Sequence, residues 1–244
     1  MKDIESMLLD HTDDPASTSL IIGASRGLGL AMAAEFLKKG WNVVRMVQDG
    51  ARTELHELAD EHPGRIEIVF LDITEPDQIM ALHDRLSGRK FDMLFHNAGT
   101  ANVNPHQSIA EVSTEEFVRA MVTSALSPMR VIEGLQDLVA ADGLIDIMSS
   151  GQGSISNNQE GGRGVYRGSK AALNQFMRCY AARHAGEPCA LVLMAPGWIR
   201  TALGRPDAPF SVEEAISKVV DVLLLQQGKL GPRYLDREGR TVPW

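Results

Sequence analysis

Cysteine is scarce in this chain of 244 residues. There are two, Cys179 and Cys189, neither in a CxxC pair nor in a Cys/His cluster. That excludes a zinc motif and a disulfide scaffold. One bridge or two free thiols remain, and free thiols in a reducing cytoplasm are the favoured reading. Positive charge is also short. Lys and Arg total 24 against 32 Asp and Glu, a net charge of −8. A net acidic chain has no electrostatic basis for gripping a nucleic-acid backbone. No apolar run reaches the ~20 residues that span a bilayer, so no membrane partner is expected. The stretch MKDIESMLLDHTDDPAST is acidic and has no long apolar centre, so it does not read as a secretory signal. Residues 1–18 are read as an N-terminal appendage and residues 19–244 as one domain. No Pro-, Gly- or Ser-rich linker, repeat or low-complexity tract divides that span.

From Ser19 onward, short apolar runs alternate with amphipathic stretches. SLIIGA, WNVVRMV, RIEIVFLDI, FDMLFHNAG, GLIDIMSS and CALVLMAPG read as strands. GLGLAMAAEFLKKG, ARTELHELADEH, EPDQIMALHDRLSG and SVEEAISKVVDVLLLQ have helical spacing, as does the stretch from about Tyr166 to His184. TEEFVRAMVTSALSPMRVIEGLQDLVA reads as a long helix that Pro128 interrupts and can kink. PRYLDREGRTVPW reads as an edge strand or a tail. This alternation predicts an α/β fold, with a doubly wound parallel sheet of about seven strands.

GASRGLG lies between the first predicted strand and the first predicted helix. Gly23 permits the tight turn, Gly27 lets the backbone approach a phosphate, and Gly29 lets helix and strand pack closely. The helix start adds free N–H groups and partial positive charge for a pyrophosphate. A dinucleotide is the expected ligand. The second strand ends Val47-Gln48-Asp49. Val47 stands where an acid would hold the ribose hydroxyls of NAD, and Arg26 in the loop suits the extra phosphate of NADP. NADP(H) is therefore favoured over NAD(H). Gln48, where a second arginine would help, and Asp49, a displaced acid, argue the other way.

Tyr166 and Lys170 are four apart and share a helix face. A free phenol titrates near ~10, and bringing it to neutrality asks for about 3–4 kcal/mol. One ammonium at ~4 Å in an effective dielectric of ~20 supplies about 4 kcal/mol. IDIMSSG ends the fifth strand in Ser149-Ser150, at the carboxyl edge where open parallel sheets bind ligands. A hydroxyl there can hold a carbonyl oxygen while the phenol donates its proton. Strand termination is the plain alternative for the two serines.

GASRGLG, HNAG, SS, YRGSK and PGWIRT, in this order and spacing, resemble the short-chain dehydrogenases/reductases. GSISNN, YRGSKAALNQF and the closing VPW look most like the C-factor and Sniffer-type carbonyl reductases. The resemblance implies a Rossmann-type domain and an NADPH-dependent reduction of a ketone or aldehyde to an alcohol. By that resemblance, Tyr166 is the acid/base and Lys170 lowers its pKa and holds the nicotinamide ribose. Ser150 orients the substrate. Ser124 occupies the position of a relay asparagine in the long helix. Asn97, Ala98 and Gly99 line the adenosine side, and Asp72 meets the adenine. Pro196 and Gly197 shape the nicotinamide pocket, and Thr201 meets the carboxamide or pyrophosphate. Ser25, Leu28, Gln48, Ile73 and Ile199 complete the expected cofactor set. His96 reads as a packed strand-end histidine. Trp198, Leu203 and Phe210 are candidates for apolar walls of a shallow site, with Trp198 equally placed as core. The resemblance also implies a homodimer or homotetramer through the long helix and the one bearing Tyr166. A second class stays open because Ser124 replaces the asparagine: an NAD(P)-binding sensor or signalling protein with weak or no catalysis.

Overall fold

The computed structural model describes residues 16–48 and 52–244. Most of the expected appendage, and Asp49, lie outside the described residues. The first half of the chain runs β1 (Thr18–Ile22), α1 (Gly27–Lys38), β2 (Asn42–Val47), α2 (Glu54–Glu61), β3 (Ile66–Phe70), α3 (Pro76–Leu86), β4 (Phe91–His96). The second half runs α4 (Thr114–Met121), α5 (Ser127–Leu135), β5 (Val139–Met148), α6 (Gly164–Arg183), β6 (Ala190–Ala195), α7 (Val212–Leu224), β7 (Pro232–Asp236). β1 starts at Thr18, one residue inside the expected appendage.

The strands form one sheet of seven in the order β3-β2-β1-β4-β5-β6-β7. Every neighbouring pair is parallel. The order reverses between β1 and β4, the switch point beside which such sheets bind ligands. Because all strands run the same way, Gly23, Gln48, Asp72, Asn97, Ser149 and Pro196 follow strand ends along one edge.

Alternate strand residues enter two apolar layers, which is why the strands read as continuous apolar runs. Leu20, Ile22, Val44, Leu94 and Leu193 pack with Ile79 of α3, Ile132 of α5 and Leu173 of α6. Ile21, Val43, Phe95 and Val192 pack on the other face with Phe36 of α1 and Val219 of α7. Each such side chain contributes about 1.5–3 kcal/mol when fully buried. Arg45 and Asp146 break the pattern, both 0% exposed. Register places them in one row, Arg45 beside Ile21, Ile21 beside Phe95, Phe95 beside Asp146. Three strand spacings, about 14 Å, separate them, too far for a direct ion pair.

The long helix is interrupted just upstream of Pro128. Val122–Leu126 wind as a π-helical turn between α4 and α5, and Pro128 sits in the first turn of α5. Proline has no N–H to give the carbonyl four residues back, at Ser124, and its ring crowds that carbonyl. The helix widens there to accommodate both. β5 begins at Val139, earlier than the expected Gly143, with a register shift against β4 between Phe91 and Met93. The PRYLD stretch is an edge strand, β7, paired with β6. Cys179 and Cys189 are both free thiols. No helix among the described residues is long and apolar enough to cross a membrane.

Candidate active site

The glycine loop turns directly out of β1. Gly23 has φ +81°, and a Cβ there would lie 2.7 Å from the Ala98 backbone nitrogen. Only a glycine lets the two loops meet so closely. At Gly29 a Cβ would fall 2.1 Å from the Gly23 carbonyl oxygen and 2.8 Å from Asn97 Nδ2. Asn97 donates from that nitrogen to the same carbonyl at 2.8 Å, tying the end of β4 to the loop. Gly27 differs: its φ is +58° and nothing lies within 4 Å of the Cβ position, so the space above the start of α1 is open. Gly23 and Gly29 are thus required by close approaches within the chain, whereas Gly27 borders open space.

Around this cradle, Arg26 is exposed at the N-cap of α1, with Ser25 and Leu28 half-buried beside it. Gln48 donates to Asp72 at 2.9 Å, joining two residues expected on the adenosine side. Asp72 also accepts from the Thr74 hydroxyl at 2.6 Å. The Thr74 hydrogen bond, then that of Gln48, holds its carboxyl below the usual range. Ile73 is buried behind it.

The candidate catalytic groups come from β5 and α6. Ser150 follows the end of β5, and Tyr166 and Lys170 lie on the first turns of α6. Lys170 is 4% exposed, and its ammonium donates to the Met148 carbonyl oxygen at 2.7 Å. Burial pushes its pKa down to about 8. Tyr166 is partly exposed at its surface yet enclosed by protein atoms. Burial pushes its phenol above the ordinary range, opposed by a hydrogen bond with Ser150 and by the Arg163 guanidinium. The Lys170 ammonium is turned onto a backbone carbonyl, and Ser150 and Arg163 are the groups that oppose the effect of burial on Tyr166.

Arg163 carried no signal in sequence. It caps α6 from the left-handed region, φ 53°, directly after two glycines of positive φ, Gly161 and Gly162. A non-glycine there is uncommon and marks a constrained turn. Tyr234 was also missed, and its hydroxyl donates to the Ser150 carbonyl.

Ser124, in the π-helical turn, is 0% exposed. Its hydroxyl accepts from Thr100 N at 2.9 Å and donates to Thr100 O at 2.8 Å. Its donor and one of its acceptor positions brace the loop after Gly99. A Cβ on Gly99 would lie 3.5 Å from Lys170 Nζ and 3.7 Å from Ser124 Oγ, so loop, lysine and brace converge. His96 is buried, and burial first, then the Lys170 charge, pushes its pKa down to about 3. It stays neutral, as a packed histidine would.

Past β6, Pro196 is buried and Gly197 has φ +96° under the Arg237 guanidinium. Ile199 is buried, and Thr201 Oγ1 accepts from Gly204 N at 2.9 Å. Arg237 stacks on Phe210 at 3.6 Å from the ring centroid. Trp198 is 45% exposed and Leu203 49%, so neither is core. A cavity of about 310 Å³ lies between the 152–162 loop and the outer side of α6. Arg167 and Ala171 line it, and none of Ser150, Tyr166 or Lys170 does.

A family model described as enoyl-(acyl carrier protein) reductase, of the short-chain dehydrogenase group, matches residues 23–221. That span holds the glycine loop and the Ser150–Tyr166–Lys170 set. The chain belongs to the short-chain dehydrogenase/reductase family. Among solved structures, one from Burkholderia multivorans, assigned to the short-chain dehydrogenases/reductases and holding NADP, is 63% identical, with a TM-score of 0.93. The match covers 94% of this chain and 100% of that one. A carbonyl reductase from Pseudomonas aeruginosa PAO1 in complex with NADP is 31% identical, with a TM-score of 0.87, over 94% of this chain and 100% of that one. The C-signal protein of Myxococcus xanthus is 30% identical over 155 residues, 63% of this chain and 92% of that protein. As a short-chain dehydrogenase/reductase, the protein is an oxidoreductase acting between CH–OH and C=O with a nicotinamide cofactor. The residues present fit that cofactor: the open step at Gly27, the Asn97-braced loop and the free start of α1 make a cradle that side chains do not fill.

Proposed function

We propose that this short-chain dehydrogenase/reductase is an NADPH-dependent carbonyl reductase with Tyr166 as its acid. The observation that carries this reading is the placement of Ser150 at the end of β5, and of Tyr166 and Lys170 on the first turns of α6, at the strand edge beside the glycine cradle. Gly23, Gly27 and Gly29 would seat the pyrophosphate, Asn97 to Gly99 and the Gln48–Asp72 pair the adenosine, and Lys170, Pro196, Gly197, Ile199 and Thr201 the nicotinamide end. When bound, NADPH supplies the hydride that reduces the carbonyl carbon. The Ser150 hydroxyl holds the carbonyl oxygen, and the Tyr166 phenol delivers its proton to that oxygen. Burial raises the phenol's pKa and so keeps it protonated near neutrality, the form that a reduction consumes. Lys170, fixed on Met148, would hold the nicotinamide ribose.

Arg26, exposed at the mouth of the loop, supports NADP(H) over NAD(H), as does the buried apolar Val47 at the end of β2. The B. multivorans and P. aeruginosa relatives with bound NADP support the same choice. Exposed Phe117, Val118, Leu126 and Phe176 on α4, the π-helical turn and α6 support a homodimer or homotetramer, measurable by light scattering. The test of function is NADPH and NADH oxidation with a panel of aldehydes, quinones and diketones. The expected result is turnover of at least one carbonyl, with kcat/KM roughly tenfold or more in favour of NADPH, and loss of that preference in Arg26→Ala. Equal use of NADH would overturn the cofactor assignment. Tight NADPH binding with no turnover of any carbonyl would favour the signalling reading.

A further inference from the structure

The edge strand β7 delivers a side chain to the floor of the active site. Tyr234 is 1% exposed and pairs in register with Leu193, on the sheet face that α6 covers. Its hydroxyl donates to the main-chain carbonyl of Ser150 and lies among the side chains of Ser149 and Asn174. Ser149 in turn donates to Asn174 Oδ1 at 2.6 Å, and Asn174 is one turn beyond Lys170 on α6. Tyr234 thus holds the end of β5 from the sheet edge, and Ser149 joins the same strand end to the helix that bears Tyr166 and Lys170.

Tyr234 is itself held from behind. Val242 N returns to the Tyr234 carbonyl at 2.8 Å, folding the following chain back over β7. The Trp244 ring then lies against the Tyr234 ring at 5.3 Å, beneath the Arg178 guanidinium of α6 at 4.7 Å. The Trp244 carbonyl accepts from Ser156 N at 3.2 Å and from Ser156 Oγ at 2.8 Å. Tyr234 and Trp244 thus fasten residues 150 and 156, the two ends of the segment that follows Ser150. A phenylalanine would fill the space of Tyr234 equally well. The hydroxyl is what the position adds, and its proton goes to the residue whose own hydroxyl is assigned to the substrate carbonyl.

We propose that Tyr234, locked by Trp244, is a positioning residue for carbonyl reduction: it fixes the Ser150 backbone, and with it the hydroxyl assigned to the substrate carbonyl beside Tyr166. The proposal rests on the acid role assigned to Tyr166 and the orienting role assigned to Ser150. The experiment is steady-state kinetics of the full chain, with NADPH and whichever carbonyl of the panel is reduced fastest, for Tyr234→Phe, Trp244→Ala and Trp244→Phe. Ser150→Ala and Tyr166→Phe are run alongside. Tyr234→Phe is expected to lower kcat about tenfold, with the KM for NADPH within about twofold, since one neutral hydrogen bond is lost outside the cofactor cradle. The alkaline limb of its kcat profile should move to higher pH, because a weaker Ser150 contact leaves the phenol less acidic. Trp244→Ala should follow in the same direction, and Trp244→Phe, which keeps a ring against Tyr234, should recover most of the loss.

A purely structural role would lower the melting temperature or the amplitude without moving that limb, and this outcome overturns the proposal. An unchanged kcat in Tyr234→Phe, while Ser150→Ala and Tyr166→Phe are disabled, overturns it and leaves the acid assignment standing. Parent-like activity in Ser150→Ala or Tyr166→Phe, or no turnover by the parent, removes both.

Discussion

Gly29 shows how far a single missing methyl group reaches. It is helical and has ordinary dihedrals, so alanine would be preferred there by about 1 kcal/mol on propensity alone. Its Cβ would nonetheless stand 2.1 Å from the Gly23 carbonyl oxygen, a backbone atom that cannot rotate away. Overpacking costs about 1–3 kcal/mol even where side chains can yield. Gly29→Ala is therefore expected to lower the melting temperature and to weaken NADPH binding at least about tenfold, read by calorimetry and fluorescence titration. Gly27→Ala meets no neighbour within 4 Å, so apart from any loss of NADPH binding it should cost the folded chain only the ~1–2 kcal/mol of a left-handed alanine. Equal losses of melting temperature in the two would contradict the packing role given to Gly29. The distinction was legible in sequence, because position relative to the first strand and helix assigns each glycine its task. The roles of Arg163 and Tyr234 were not legible. Arg163 acts through a left-handed turn that "GGRG" does not announce, and Tyr234 touches Ser150 across 84 residues of chain.

At the scale of elements, the segment from α4 to α5 carries the main departure from the sequence reading. A long helix interrupted at Pro128 was expected, and the break instead lies in the turn before it. The π-helical turn arises from a carbonyl–ring conflict one turn upstream, and periodicity cannot register it. That turn sets Ser124 against Thr100, where its hydroxyl serves the backbone twice. Ser124→Ala would leave the Thr100 N–H and carbonyl without this partner, at about 1–3 kcal/mol. The expected result is a lower melting temperature and a raised KM for NADPH, with kcat falling no more than a few-fold. A hundredfold loss of kcat at unchanged stability would instead restore Ser124 to the proton path. The alternation of strands and helices was otherwise readable, since parallel strands buried on both faces leave unbroken apolar runs. The early start of β5 was not, because Ala140 to Gly143 leave the ladder at an irregularity that no local pattern marks.

Across the whole molecule, two buried titratable groups make stability depend on pH with opposite signs. His96 has its folded pKa pushed down to about 3, below its unfolded value near ~6.5. The unfolded chain takes up a proton that the folded chain refuses. The His96 contribution is therefore complete above about pH 6.5 and is lost as pH falls, by up to about 1.4 kcal/mol per pH unit. Asp146 is the reverse. Burial raises its folded pKa well above the carboxylate range, so it costs stability as pH rises above about 4. Arg45, about 14 Å along the same row, is too far to offset that cost by direct contact. Urea unfolding of His96→Gln and the parent between pH 4 and 7 should show the variant losing less stability toward acid. Identical slopes would mean that His96 is protonated in the folded state. Neither group's burial was visible in sequence for Arg45 or Asp146, where a charged residue in an apolar strand reads equally well as an edge.

The most direct test of the account is Tyr166→Phe, measured for NADPH affinity and for carbonyl turnover. Phenylalanine keeps the ring on α6 and removes only the hydroxyl. The account expects NADPH to bind within about threefold of the parent, while carbonyl-dependent NADPH oxidation falls by about a hundredfold or more, the scale of a lost general acid. A variant that reduces the same carbonyl at the parent rate would contradict it.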